Sequence, residues 1–368
     1  MWVFSNEIAR VEGAPGPGDE VLVVDHRGGP VGVGLYNPHS LIAVRLFART
    51  PRSIDAALVR ERLRRAMDLR ARLYPVESTY RLIFSEGDYL PGLVVDRYGD
   101  HLVAQSLTAG IEQRIEMILD VLAEELHPQG LVGRRDAPAR EREGLPLLSP
   151  LVRGEVPDRV DVGYEGFVIG VDLLGGQKTG EFLDQRENRR RVAREARGRR
   201  VLDLYCHTGL FALHCAAAGA SHVLGIDRSV PAVARARENL ARNAPTRAAE
   251  FREADVEEVL PRLEQEGERF DMIVLDPPAL VRSRKDLDAG ARKYIAVNAQ
   301  ALRVLKPDGL LATATCSHHV DAPLFLDLLR QAAKRARTEL RLVEVLGQSR
   351  DHPVLLAARE TSYLTMAL

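Results

Sequence analysis

Cysteine is scarce in this chain. Cys206, Cys215 and Cys316 are scattered through 368 residues with no CxxC pair, which excludes a disulfide framework and offers no zinc-ligand spacing. No metal is expected. Long apolar runs are missing too: the longest, such as residues 310–314 and 272–275, are strand-sized and far short of a membrane span. No membrane partner is expected. The N-terminus, Met1-Trp2-Val3-Phe4-Ser5-Asn6-Glu7, lacks a basic region followed by an apolar core, so no secretory signal is read and a cytoplasmic location is expected. An excess of either charge is also lacking. The formal net charge is -1, which gives no global attraction to nucleic acid, so any RNA partner must meet a local basic patch. Lysine is rare, with only Lys178, Lys285, Lys293, Lys306 and Lys334.

What is present is a chain long enough for two or three domains, with an ordinary hydrophobic fraction of 45%. The first fifty residues predict short strands at 20–25, 30–36 and 41–47, separated by the turn clusters His26-Arg27-Gly28-Gly29 and Asn37-Pro38-His39-Ser40. That pattern reads as a small barrel. An arginine-rich amphipathic helix follows at 54–73. A second block then alternates strands at 80–84, 93–96 and 102–106 with a helix at 111–126, and the proline- and charge-rich stretch 134–157 reads as an exposed interruption.

From about Arg199 the pattern alternates β and α strictly, which predicts a parallel sheet with right-handed crossovers. Strands are expected at 201–206, 222–227, 249–254, 270–275 and 309–315, with closing strands at 341–346 and 363–367. In such sheets ligands bind beyond the carboxyl ends of the strands. Polar residues gather there: Asp203 and Tyr205 on the first strand, then Cys206-His207-Thr208-Gly209, Asp227 after the second and Asp255 after the third. Gly209 would let backbone approach a ligand closely. Asp227 could accept from two ribose hydroxyls, and Asp255 could meet an adenine amino group. An acid after the second strand suits both nicotinamide and S-adenosylmethionine sites. The G-x-G-x-x-G that cradles a pyrophosphate is absent, however, and S-adenosylmethionine has no phosphate.

The fourth strand delivers Asp276-Pro277-Pro278 to the sheet edge, where two prolines stiffen the backbone around an acid. At this topological position the tripeptide points to methyl transfer onto a planar nitrogenous substrate. The fifth strand ends in Thr315-Cys316-Ser317. A free cysteine is ordinarily a small buried hydrophobe; at a catalytic edge it can instead be a nucleophile. C5 of a pyrimidine is poorly nucleophilic, and a thiolate adding at C6 makes C5 enamine-like. Asp276 could hold the N3/N4 edge of cytosine and stabilise charge in the adduct. His207, His318, His319 and His352 are further candidates for proton transfer.

These residues bring out a resemblance that spans nearly the whole chain. It takes in Trp2-Val3-Phe4-Ser5, Tyr80-Arg81-Leu82-Ile83, residues 90–97 and the long element from Gln177 to Arg186. Further on it includes Thr208-Gly209-Leu210-Phe211, Asp276-Pro277-Pro278, Tyr294 with Asn298, Thr315-Cys316-Ser317 and Asp351-His352-Pro353-Val354. The chain resembles the PUA-domain class I methyltransferases that make 5-methylcytidine in large-subunit (23S) ribosomal RNA. The resemblance implies an α/β fold: a PUA-like RNA-binding domain at 1–70, a central α/β domain at 71–175, and a Rossmann-like methyltransferase domain at 176–368 with strand order 3-2-1-4-5-7-6. It implies S-adenosylmethionine held by Asp203, Tyr205, Thr208, Gly209, Phe211, Asp227, Asp255 and Asp276, with Cys316 as nucleophile. The RNA is expected against Gln177, Lys178, Arg186, Pro277 and Pro278, with Lys178 and Arg186 on phosphates. The arginines of 186–200 read either as a phosphate-binding face or as a solvated helix.

Ala279 stands where two-cysteine RNA cytosine methyltransferases carry their second cysteine, which leaves release of the adduct open. Relatives with similar central and catalytic domains methylate guanine, so the target base stays open as well. The alternatives are a guanine N-methyltransferase without covalent catalysis, a non-catalytic RNA-binding factor and, more distantly, a nicotinamide oxidoreductase. Large-subunit ribosomal RNA is the expected partner, and homodimerisation is left open.

Overall fold

The computed structural model describes residues 1–243 and 249–368. Two compact units emerge, residues 1–184 with 350–361, and residues 185–349 with 362–368. The 70/71 boundary expected from sequence therefore falls inside the first unit.

In the first unit, strands β1 (Trp2–Phe4), β2 (Glu20–Val24), β3 (Pro30–Tyr36) and β4 (Ile42–Ala48) form an antiparallel sheet in the order β1-β4-β3-β2. The expected barrel is thus open between β1 and β2. Helix α1 (Ala56–Leu73) starts on Asp55, whose side chain accepts from the Leu58 N–H, a normal N-cap that satisfies one orphan donor. Strands β5 (Thr79–Phe84), β6 (Leu93–Tyr98) and β7 (His101–Ser106) are followed by helices α2 (Ala109–Gln113) and α3 (Ile115–Leu126), then β8 (Gly130–Arg135) and β9 (Leu148–Gly154). These five strands make one sheet in sequence order, antiparallel except for the β7–β8 pair. A hairpin of β10 (Val160–Tyr164) and β11 (Phe167–Val171) completes the unit.

A single core joins both sheets. Val33, Leu35 and Phe47 of the first sheet pack in one cluster with Leu58 and Leu63 of α1 and with Leu82, Ile83, Leu93 and Leu119. The stretch 134–157 is mostly exposed, as expected, but it is not an irregular interruption: β9 pairs with β8 there, and Arg134, Arg140 and Glu143 are buried. Arg140 is drawn inward because the Ser106 carbonyl and the Glu112 carboxylate accept from its Nη1, each at 2.7 Å.

The excursion at 350–361 is tied into this unit by charge. Asp351 is fully buried; its Oδ2 accepts from the Arg81 N–H at 2.9 Å and its Oδ1 meets His352 Nδ1 at 2.8 Å. Arg70, also fully buried, grips both oxygens of Asp88 at 2.5 and 2.7 Å and donates to the Asp351 carbonyl at 2.7 Å.

In the second unit, α4 (Arg186–Ala193) precedes β12 (Arg200–Leu204), α5 (Leu210–Ala217), β13 (His222–Asp227), α6 (Val230–Asn243), β14 (Ala249–Glu253), α7 (Val256–Gln265) and β15 (Phe270–Leu275). Then come α8 (Leu287–Val304), β16 (Leu305–Thr315), α9 (Ala322–Ala336), β17 (Val345–Leu346) and β18 (Thr365–Ala367). The sheet runs β14-β13-β12-β15-β16-β18-β17, parallel except for the antiparallel β18. Numbered within the unit this is 3-2-1-4-5-7-6, the order the resemblance implies. Continuous apolar strands such as β15 are buried on both faces, as a helix-covered parallel sheet requires.

Replacing Arg70 by Met is expected to cost about 3 kcal/mol or more, because Asp88 is left buried without its counter-charge. On the same helix the partly exposed Arg60, paired with Glu124 and Glu125, should cost less than about 1 kcal/mol. Thermal or urea denaturation of Arg70→Met and Arg60→Met tests the contrast.

Candidate active site

The loop after β12 is shaped by its backbone. Tyr205, His207 and Gly209 all take positive φ, at 61°, 49° and 78°, conformations that L side chains adopt at a cost. Surrounding bonds hold them there. The Cys206 N–H donates to the Ile226 carbonyl at 3.0 Å, the His207 N–H to Asp227 Oδ2 at 2.9 Å, and Asn239 Nδ2 to the Thr208 carbonyl at 3.1 Å. A Cβ on Gly209 would lie 2.7 Å from the Phe251 ring and 2.8 Å from Ala236, so glycine is required by both φ and space.

Around this loop stand the expected acids. Asp203 is 1% exposed. Its Oδ2 accepts from the Ala212 N–H at 3.0 Å, while its Oδ1 has no partner among the described residues. Burial pushes its carboxyl up to about 8; the Ala212 N–H works against that rise, and the nearby Asp276 charge adds to it. Asp227 is partly buried and accepts from the His207 and Ser229 N–H groups, one on each oxygen. Asp255 caps α7, its Oδ1 accepting from the Glu257 N–H at 2.8 Å. Tyr205 is half-buried and Thr208 is buried. Phe211 is placed differently from expectation. Its ring lies in the core cluster with the Arg189 guanidinium 5.8 Å from its centroid, because α5 turns this face toward the sheet.

Asp276 follows β15, half-exposed, with Pro277 buried and Pro278 exposed beside it. One partner of Asp276 was not anticipated. Gln185 Nε2 donates to Asp276 Oδ2 at 3.0 Å, Asn188 Nδ2 donates to Gln185 Oε1 at 2.6 Å, and Asn188 is also anchored on the Gly347 carbonyl at 3.0 Å. Gln185 and Asn188 are both buried. The only sequence signal was their three-residue spacing at the start of a helix, inside the long element already noted for its resemblance.

Cys316 follows β16, half-buried at the margin of the core. It is flanked by two buried hydroxyls. Thr315 Oγ1 donates to Tyr294 Oη at 2.8 Å, Tyr294 Oη shares a 2.9 Å hydrogen bond with Ser317 Oγ, and Ser317 Oγ accepts from the Val281 N–H at 3.2 Å. Asn298, one helical turn on from Tyr294, accepts from Thr313 Oγ1 at 2.8 Å. The strand end is thereby stapled to α8 on both sides of the thiol. β15 and β16 are adjacent, with Leu275 opposite Thr313, so Asp276 and Cys316 leave the same edge of the sheet.

The histidines separate. His318 and His319 are exposed just beyond Ser317, with the His318 ring 5.6 Å from that of Tyr363. His352 is buried on Asp351 in the first unit.

The expected RNA contacts divide as well. Gln177 and Lys178 are exposed and belong to the first unit, where Lys178 Nζ lies 4.4 Å from the Phe182 ring centroid and 3.7 Å from Asp184. Arg186 is fully buried, so the phosphate contact expected of it is corrected: its guanidinium has no route to solvent. The face at 186–200 is mixed, with Arg189 buried, Arg191 paired to Glu195 and Glu344, and Arg190, Arg194 and Arg197 exposed.

Because the folded Asp203 holds its proton up to about pH 8 and the unfolded one releases it near 4, its contribution to stability is present at low pH and lost as pH rises between those values. Asp203→Asn mimics the protonated acid. Its melting temperature relative to the wild type should climb between pH 5 and 8, by on the order of 1 kcal/mol of stability per pH unit. Scanning calorimetry across that range would show it; a pH-independent offset would contradict it.

Residues 195–358 match a methyltransferase-domain family and residues 1–49 a PUA-like domain family. The ribosomal RNA large subunit methyltransferase I of Shewanella denitrificans is 38% identical over 369 residues, covering 99% of this chain and 93% of that protein. A structure assigned as a SAM-dependent methyltransferase from Streptococcus mutans has a TM-score of 0.86 over 100% of this chain and 94% of its own, at 19% identity. A further methyltransferase structure, complexed with SAH, gives 0.85 at 18% identity over the same shares of the two chains; likenesses this distant speak to the fold. Identity and coverage of the curated relative together mean that the chain belongs to the ribosomal RNA large subunit methyltransferase I family.

Proposed function

We propose that this chain methylates C5 of a cytosine in large-subunit ribosomal RNA, with Cys316 as nucleophile and Asp276 as the acid that orients the base. The observation that carries the reading is a half-exposed thiol on a strand end stapled on both sides, one strand away from a half-exposed carboxylate.

S-adenosylmethionine is the methyl donor, and when bound it supplies an electrophilic methyl carbon on a cationic sulfur. The residues fit such a group. Asp203 Oδ1 is buried with no partner among the described residues, and the negative charge of Asp227 and Asp276, which helps to raise the Asp203 carboxyl, makes the site favour a cation. Each oxygen of Asp227 has accepted one N–H and keeps a lone pair for a ribose hydroxyl. Tyr205, Thr208, Gly209 and Asp255 complete the proposed pocket, with Phe211 backing it from the core.

The target nucleotide must be unpaired or flipped to reach the sheet edge. Asp276, its carboxylate oriented by the Gln185 amide, accepts from the N4 amino group of the base and fixes the ring for attack at C6. The Cys316 thiolate adds to C6, and the electron pair displaced from the C5–C6 double bond makes C5 a nucleophile; a bound S-adenosylmethionine would supply the methyl carbon, its bond to sulfur breaking with the pair left on sulfur. A base removes the C5 proton, that pair re-forms the double bond, and the thiolate leaves. His318 and His319 lie nearest to Cys316 in sequence for that proton. Contacts of Gln177, Lys178, Pro277 and Pro278 with RNA are part of the same proposal.

RNA carrying 5-fluorocytosine traps the adduct, because fluorine does not leave as a proton does. The wild-type protein should give a protein–RNA band stable in detergent, and Cys316→Ala should give none. An adduct formed by Cys316→Ala would overturn the assignment. Methylation of unsubstituted RNA retained by Cys316→Ser would favour transfer to a guanine nitrogen, which needs no thiolate.

A further inference from the structure

The segment joining the Asp276-Pro277-Pro278 edge to α8 carries charge that the mechanism does not use. Between residues 282 and 293 five cations, Arg282, Arg284, Lys285, Arg292 and Lys293, accompany only two carboxylates, Asp286 and Asp288. All five cations are exposed. Among the described residues, none of their side chains makes an ion pair or a hydrogen bond, and Asp286 is taken up by Ser283 Oγ at 2.7 Å. Arginines on α1 behave differently: Arg60, Arg64 and Arg65 are all paired with glutamates. In a chain with a net charge of -1, five unpaired cations within twelve residues repel one another without a local structural return.

The backbone beneath them is held close to the candidate nucleophile. The Val281 N–H, on one side of the segment, and Tyr294 Oη, on the other, both bond the Ser317 hydroxyl, next to Cys316. The two ends also touch each other. A Cβ on Gly290 would lie 2.4 Å from the Val281 side chain and 2.5 Å from the Leu280 carbonyl, so only glycine permits this approach. Residues 282–286 and the first turn of α8 therefore close on the strand end that presents Cys316, with Arg292 and Lys293 in the next turns of the same helix.

We infer that this loop and the start of α8 form a phosphate-docking surface that grips the RNA backbone beside the target nucleotide. The inference rests on RNA being the substrate; it names the surface that receives it and does not depend on which base is methylated. Charge complementarity commits the surface to a polyanion. Its root beside Cys316 sets the contacted phosphates near the reacting nucleotide, where they fix position and carry no sequence information.

The test measures binding of a fluorescein-labelled single-stranded RNA 20-mer and of deproteinised 23S ribosomal RNA across a salt series. The variants are the triple substitution Arg282→Ala, Arg284→Ala, Lys285→Ala and the double substitution Arg292→Ala, Lys293→Ala. Each lost phosphate contact removes about 0.7–0.9 from the log–log salt slope. The triple variant should therefore lose about 2 from the slope and bind RNA roughly tenfold or more weakly at low salt, with S-adenosylmethionine affinity by calorimetry unchanged. A control triple variant, Arg153→Ala, Arg252→Ala, Arg330→Ala, removes the same formal charge from arginines that are each ion-paired and should leave the slope intact. An unchanged slope in the loop variants, or an equal loss in the control, overturns the inference. A slope that falls as expected while Cys316→Ala still forms the fluorocytosine adduct would retain this surface and reject Cys316 as the nucleophile instead.

Discussion

A phenol, two hydroxyls and one backbone amide, linked in a chain from Thr315 through Tyr294 and Ser317 to Val281, hold the end of β16. A strand end is ordinarily a place where the chain departs into solvent. Here Thr315 and Ser317 are buried while Cys316 between them is not, and that alternation survives because each buried hydroxyl would otherwise lose its hydrogen bonds. Leaving such a group unsatisfied costs on the order of 1–3 kcal/mol, enough to fix which side of the turn faces the core. Burial raises the Tyr294 phenol above its usual range, so it stays neutral and can both accept and donate. The thiol inherits its orientation from its neighbours.

The same phenol fixes more than the cysteine. Tyr294 lies on α8, and its partner Ser317 also receives the Val281 N–H, so the helix, the loop that precedes it and the strand end form one unit of structure. Facing it across the adjacent strand, Asp276 is oriented by a relay of amides through Gln185 and Asn188 to a backbone carbonyl. The Asp276 carboxylate, and the residues on either side of Cys316, are held by groups with no chemistry of their own. Preorganisation of this kind is what a site needs when charge must develop on a base in a fixed place.

Electrostatics divide the molecule's arginines into two uses. In the first unit Arg70, Arg81 and Arg140 are pulled inward by Asp88, Asp96 and Glu112. On the α1 surface Arg60, Arg64 and Arg65 are matched by glutamates. An arginine-rich composition is thus mostly an account of internal pairing. The cations between 282 and 293 are informative because five exposed ones fall within twelve residues, unmatched among the described residues and beside the candidate nucleophile. Around the loop after β12 the balance reverses: Asp203, Asp227 and Asp276 stand close enough for each charge to raise the first one's carboxyl.

The sequence alone determined the alternating half of the chain, because parallel strands buried on both faces read as continuous apolar runs and their helices keep a 3.6-residue period. Strands 222–227 and 270–275 fall where the pattern puts them. The strand-end residues Asp203, Asp227, Asp276 and Cys316 were legible for the same reason, since position in the strand order assigns them to one edge. Burial of individual long side chains was not legible. Arg186 and Phe211 sit in motifs that read as ligand-facing, yet the fold turns both inward, and β9 hides in a stretch whose prolines and charges resemble a loop. Only the tertiary structure decided that Gln185 reaches Asp276, ninety-one positions away, or that Val281 and Tyr294 converge on Ser317. Such contacts depend on how non-adjacent elements pack, and a local pattern carries no information about the partner a side chain meets across that distance.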